Sequence, residues 1–254
     1  EPFGGVVPEI ASRNHTYNLI PLVDRVLKES KMDWADLDGI VVTSMPGLVG
    51  ALLVGVVTAK LLALTKNKPL LGVNHLEGHL LAPFLRDEQY QSPANFSYPY
   101  VGLAISGGHT SLYRINGLGD YEILGRTVDD AAGEAFDKFG KLVGLGFPGG
   151  VLVDQYSKAG NPQAYAFPRP MLHEANLMFS FSGLKAAASR VVEAMMIDER
   201  RAHMSDLCAS YQESIVDILI DRLDKAATQE KLTRVVLTGG VSANSRLRDR
   251  AQQW

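Results

Sequence analysis

The sequence has 254 residues, 46% of them hydrophobic and 21% charged. That length allows one large domain or two smaller ones, and the near-average composition excludes a disordered chain or a coiled coil. With 25 Lys and Arg against 28 Asp and Glu the net charge is −3, so no global positive field holds a polyanion, and nucleic-acid contacts need a local patch.

The single cysteine, Cys208, cannot form an internal disulfide, which favours a reducing, cytoplasmic setting. The start carries no basic segment followed by an apolar run, so no secretory leader is expected. The chain opens Glu1-Pro2-Phe3-Gly4-Gly5 without Met, and Arg246 to Trp254 reads as two helical turns without a stop signal. A piece of a longer protein is therefore expected.

Apolar periodicity from Ser12 to Glu29 predicts a helix, which Pro21 is expected to kink or split. Leu37 to Thr43 reads as a short buried strand ended by Pro46-Gly47. Gly47 to Leu64 is apolar except for Thr58 and Lys60 and meets the lower length of a membrane span. Its glycines, its Lys and the short apolar strands flanking it favour instead a helix buried against a sheet, with no membrane involved. Pro69 to Val73 is a second strand, and His75 to Arg86 a helix bent at its end by Pro83. This alternation predicts a parallel α/β unit.

From Tyr100 the pattern changes. Val101–Ile105, Ser111–Ile115 and Tyr121–Val128 predict an antiparallel meander joined by short glycine-containing turns. Helices follow at Asp130–Val143, Ser182–Met196 and Met204–Ala227, with a Gly/Pro loop at Gly144 to Gly150 after the first. Val235–Thr238 is a final strand leading through Gly239-Gly240 into a last helix. The change near Gln91–Tyr98 divides the chain into lobes 1–97 and 98–254.

Ser106-Gly107-Gly108, Gly146 to Gly150 and Thr238-Gly239-Gly240 are glycine-rich element boundaries. Paired glycines either make plain turns or let backbone N–H groups approach phosphate oxygens, and a helix start after Gly239-Gly240 adds partial positive charge. His75 and His79 are spaced to share one helix face, as two metal ligands or as two ordinary hydrogen-bonding histidines. Glu77 lies about 200° around the helix from His75, which disfavours the zinc-protease arrangement. Asp129 and Asp130 suit a helix N-terminus, and Glu134 and Lys138 form an i,i+4 pair. Asp137 is either part of that surface or an acceptor for a sugar hydroxyl. Ser180 to Lys185 reads as an N-cap and helix start, and Cys208 as a buried thiol.

Taken together, residues 4–15 (GGVVPEIASRNH), 46–55 (PGLVGALLVG), 74–83 (NHLEGHLLAP), 104–110 (AISGGHT), 129–138 (DDAAGEAFDK), 147–150 (FPGG), 179–185 (FSFSGLK) and 239–244 (GGVSAN) resemble the universal tRNA threonylcarbamoyltransferase family, TsaD in bacteria. The family was long described as a glycoprotein endopeptidase. The resemblance implies the actin-like α/β fold shared with sugar kinases and Hsp70, with two lobes around a central nucleotide cleft. It implies transfer of a threonylcarbamoyl group from threonylcarbamoyl-AMP to the exocyclic amine of the adenosine beside the tRNA anticodon, releasing AMP. His75 and His79 then match metal ligands, and Ala104, Ile105, Ser106, Gly107 and Gly108 match the segment around the carbamoyl phosphate. Asp137 and Gly150 match nucleotide-binding positions, Asp154 a ribose-side acid and Asn244 an adenine-side amide. The implied metal is one divalent ion, iron by family resemblance, with zinc equally suited to the donors. The implied partners are tRNA and, in bacteria, a paralogous actin-like subunit and a small ATPase.

The sequence departs from the family pattern at four places. The family's opening I-E-T-S-C-D type segment and its closing T-D-N segment have no counterpart here, so truncation at both ends is expected and no catalytic residue is assigned. Met45 stands for a usual glycine and Val151 for a usual proline. A metalloprotease, a non-catalytic nucleotide-binding or scaffold module, and an actin-like sugar kinase remain the alternatives.

Overall fold

The computed structural model describes residues 7–86, 88 and 91–254. Gly4-Gly5-Val6 of the first motif lie outside them. The chain forms two compact units, Glu1–Gly78 and His79–Trp254. The change of pattern at 91–98 therefore falls inside the second unit.

In the first unit, α1 (Pro8–Ser30) begins with a proline in its first turn, where the missing N–H breaks no bond. It ends at Lys31, whose left-handed backbone (φ 56°) lets Lys31 N–H donate to the Lys28 carbonyl and Met32 N–H to the Leu27 carbonyl. Pro21 neither splits nor shortens it. The helix has no buried residue, so water can bond the carbonyl that Pro21 leaves without a donor. Strands β1 (Ile40–Met45) and β2 (Leu70–Asn74) pair in parallel, Ile40 opposite Leu70, through the crossover helix α2 (Val49–Lys66).

The expected burial of α2 is corrected. It packs on β1 and α1, closely enough that a Cβ on Gly50 would lie 2.4 Å from Ser12 Oγ. Yet only Ala59 and Ala63 are buried, while Val49, Leu53, Val57, Leu61 and Leu64 form an exposed apolar stripe. Two strands and one helix are too narrow to cover a helix that is apolar all round. By length and composition α2 could also cross a membrane.

Helix α3 (His75–Leu81) is shorter than expected, because Pro83 falls in a separate 3-10 turn, Ala82–Phe84. In the second unit β3 (Tyr100–Ile105), β4 (Thr110–Gly117) and β5 (Asp120–Arg126) form the expected meander. β6 (Val235–Thr238) joins parallel to β3, giving the order β5-β4-β3-β6. Every residue of β3 is buried, as its unbroken apolar run requires. Val101, Leu103 and Ile105 enter the main core with α4 (Ala132–Leu142), α6 (Ser182–Glu193) and α8 (Met204–Glu230). On the other face, Gly102 leaves room for Ile115 and Leu80, and Tyr100 Oη donates to the Leu80 carbonyl at 2.6 Å.

Helices α5 (Gly149–Ser157), α7 (Ile197–Ala202) and α9 (Ser245–Gln253) complete the described α-helices. The first two are absent from the sequence reading. α5 is nine residues long and opens on two glycines, and α7 spans six, too few turns for a periodic signal. Cys208 is fully buried, which pushes its thiol up to about 12.

Two polar side chains tie segments of the second unit together. Arg222 is fully buried on α8. It donates to the carbonyls of Met171, Glu174 and Met178 and pairs with Asp221, pinning the 171–178 loop to α8. Asp129 does not cap α4, whose N-cap Ala131 makes no side-chain bond. It accepts from the Phe181 and Ser182 N–H groups and from both serine hydroxyls. The start of α6 is thus capped by a residue about fifty positions earlier, not by its own serines. Burial raises the Asp129 carboxyl pKa, but these hydrogen bonds outweigh it and hold it below the ordinary carboxylate range.

Replacing Arg222 by Met leaves the Met178 carbonyl without its donor and takes one donor each from the Met171 and Glu174 carbonyls, which keep the Glu174 N–H and Lys225 Nζ. It should cost about 3 kcal/mol in chemical denaturation. A loss below 1 kcal/mol would show the loop is held by other means. Because the folded Asp129 pKa is depressed, its contribution is present above the unfolded carboxylate pKa and lost as pH falls through the folded value. The stability gap between the native protein and Asp129→Ala should therefore narrow on acidification from pH 7. A gap constant with pH would refute the capping role.

Candidate functional site

Three glycine-rich boundaries frame a cavity of about 390 Å³ in the second unit. The first is the β3–β4 turn. Ser106 N–H donates to the His109 carbonyl at 2.8 Å, and Ser106 Oγ accepts from His109 N–H at 3.1 Å. Those bonds close the turn on itself and leave its tip, Gly107-Gly108, exposed. Gly133 of α4 lets the turn approach, since a Cβ there would sit 2.5 Å from the Ser106 carbonyl oxygen.

The second boundary is the start of α5. Asp137 Oδ1 accepts from Gly149 N–H at 2.8 Å, with Gly150 N–H at 3.4 Å. The glycine amides that the sequence reading offered to a phosphate are therefore already capped by a carboxylate from α4. The third is the exit of β6. Gly239 has φ +89°, and a Cβ on it would lie 2.4 Å from the Ile105 carbonyl oxygen, so glycine is required here on both counts. A 3-10 turn, Gly240–Ala243, follows and leads into α9. The N-terminal amides of α9 are also occupied: Ser245 N–H and Oγ donate to Asp154 Oδ1 at 3.1 and 2.7 Å, and Leu247 N–H to Asn244 Oδ1 at 3.0 Å.

Of the predicted residues, Gly107, Asp137, Gly150, Asp154 and Asn244 line the cavity together. Ser106 and Gly108 flank Gly107 in the turn. Ala104 and Ile105 are buried in β3 and offer a ligand only backbone. Phe136, Val151 and Val241 supply apolar walls that the sequence reading missed, as it missed Gly133. A glycine inside the helical pattern at 130–143 was the available signal for that close approach.

His75 and His79 stand one turn apart on α3. The His79 carbonyl accepts from Thr238 Oγ1 at 3.0 Å, tying α3 to the end of β6 beside Gly239. Among the described residues, no three His, Cys, Asp or Glu side chains are grouped to hold a metal ion.

The cap at α5 can be tested directly. Asp137→Asn keeps an accepting oxygen and should leave stability nearly unchanged, whereas Asp137→Ala should cost about 1 kcal/mol in denaturation. Equal losses in both variants would show that the charge, not the cap, matters.

The family model described as TsaD, tRNA N6-adenosine threonylcarbamoyltransferase, matches residues 1–254. The chain is 63% identical over its full length to the tRNA N6-adenosine threonylcarbamoyltransferase of Bdellovibrio bacteriovorus, of which it covers 74%. It is 55% identical over 246 residues to that of Anaeromyxobacter dehalogenans, covering 97% of this chain and 72% of the relative. Among solved structures, full-length HypF superposes with a TM-score of 0.60 at 14% identity over 92% of this chain and 44% of its own. Component A of (R)-2-hydroxyglutaryl-CoA dehydratase from Acidaminococcus fermentans gives 0.51 at 14% identity, over 91% and 72%. These two likenesses speak for the fold alone, which is the expected actin-like α/β class. Matched along its whole length by the family model and by so similar a relative, the chain belongs to the TsaD family of tRNA N6-adenosine threonylcarbamoyltransferases, the enzymes of tRNA threonylcarbamoyladenosine synthesis.

Proposed function

We propose that the cavity of the second unit seats the AMP half of threonylcarbamoyl-AMP. The observation that carries this reading is the convergence of Gly107, Asp137, Asp154 and Asn244, from separate elements, on one apolar-walled space. Asn244 is the adenine-side group. Asp154 and Asp137 each spend Oδ1 on a helix start, and their second oxygens suit ribose hydroxyls. With the Gly149, Gly150, Ser245 and Leu247 amides already taken, the exposed Gly107-Gly108 tip is the backbone best suited to the phosphate and carbamoyl oxygens.

The reaction is an acyl transfer. The exocyclic nitrogen of the tRNA adenosine bonds to the carbamoyl carbon and loses a proton, while the carbon–oxygen bond to phosphate breaks and AMP leaves with the electron pair. His75 and His79 fit a divalent ion as two neutral imidazole donors one turn apart, iron by family resemblance and zinc by donor type alike. When bound, the ion supplies Lewis-acid neutralisation of charge on the phosphate oxygens. The remaining coordination positions fall to donors outside any described His, Cys, Asp or Glu trio.

The net charge of −3 gives tRNA little general attraction, which supports help from accessory proteins such as an actin-like paralogue and a small ATPase. The exposed apolar stripe of α2 gives such a protein subunit a surface to cover. A tRNA substrate and a reduced Cys208 fit a cytoplasmic setting.

Given threonylcarbamoyl-AMP, unmodified tRNA and its accessory proteins, the protein should yield threonylcarbamoyladenosine, detected by mass spectrometry of the digested tRNA. Absence of that nucleoside would overturn the reading. In the same preparation, His75→Ala and His79→Ala should each lower bound metal about tenfold or more. Unchanged metal content would remove both residues from the site.

A further inference from the structure

Behind Asn244 runs a hydrogen-bonded relay with a fixed direction. Ser157 Oγ donates to the Asp154 carbonyl at 2.9 Å and accepts from Gln212 Nε2 at 2.7 Å. Gln212 Oε1 accepts from Asn244 Nδ2 at 2.6 Å, and Asn244 Oδ1 accepts from Leu247 N–H at 3.0 Å. Ser157, Gln212 and Asn244 are all buried. A backbone carbonyl can only accept and a backbone N–H can only donate. Both ends of the relay are such groups, so neither amide can flip without setting like against like in a site where an unmade bond is costly.

Two bonding positions of the Asn244 carboxamide remain, one Nδ2 hydrogen and one Oδ1 lone pair. That is the pair an adenine edge takes: an acceptor ring nitrogen beside the N6 donor. Hypoxanthine replaces the N6 donor by an oxygen acceptor, so an amide fixed for adenine mismatches it on either edge. We infer that Gln212 is a positioning residue that fixes the Asn244 carboxamide and so sets the preference for adenine over a 6-oxopurine. This rests on reading the cavity as the adenosine site and adds to it a residue outside the cavity lining.

The test is calorimetric titration of the purified full chain with AMP and with IMP. The native protein should bind AMP the more tightly. Gln212→Met, similar in shape but without either hydrogen bond, should lower the AMP-to-IMP preference about tenfold. Gln212→Glu keeps an oxygen for Asn244 Nδ2 and should retain the preference. Ser157→Ala frees the far end of Gln212 and should lower it about threefold. A merely structural role would change thermal stability and weaken both nucleotides alike. An unchanged ratio in Gln212→Met, or in Ser157→Ala should Gln212→Met not fold, overturns the inference and leaves the cavity reading intact. If the native protein binds AMP no better than IMP, the cavity reading falls and the inference with it.

Discussion

The second unit depends on carboxylates that cap helices other than their own. Asp129, after β5, holds the start of α6, Asp137 of α4 holds the start of α5, and Asp154 of α5 holds the start of α9. Each bond satisfies amides that a helix leaves unpaired, and each places negative charge at the positive end of a helix dipole. The last two also fix the walls of the cavity. The two acids that line the cavity also keep the helices around it in place, so the cavity wall and the architecture share residues there.

This sharing explains much of what could and could not be read from the sequence. Asp129 and Asp130 sit just before a helix and look like its cap, but capping depends on which N–H groups lie nearby in space. Asp130 pairs with Lys138 instead. The strand β3 and the long helix α8 were legible because burial on both faces, or over many turns, leaves a long apolar signature, while the half-buried β6 was legible as a short apolar run before a glycine pair. Helix α5 was not, since it begins in the glycine pair read as a loop. Asp154 and Asn244 were reached only through family resemblance and Asp137 first through its acidic run, whereas Gln212 and Ser157 carry no pattern and emerge only as partners of Asn244.

The first unit shows the opposite failure. Periodicity located α1, α2 and both strands well, yet composition misjudged how much of α2 is covered. Its stripe from Val49 to Leu64 is apolar and exposed, and the β1–β2 ribbon exposes Val41, Met45 and Leu71. Hydrophobicity reports what a surface prefers to touch, not whether that neighbour belongs to the same compact unit.

The parallel pairing of β3 with β6 has a consequence for how the protein comes into being. Val101 lies opposite Val235, so the sheet stays incomplete on a ribosome until more than a hundred residues beyond β3 have been made. β6 also delivers Gly239, the Thr238 anchor to His79 and, just beyond, Asn244. A nascent chain that has already formed its meander therefore still lacks a cavity, because the third glycine-rich boundary and Asn244 have yet to arrive.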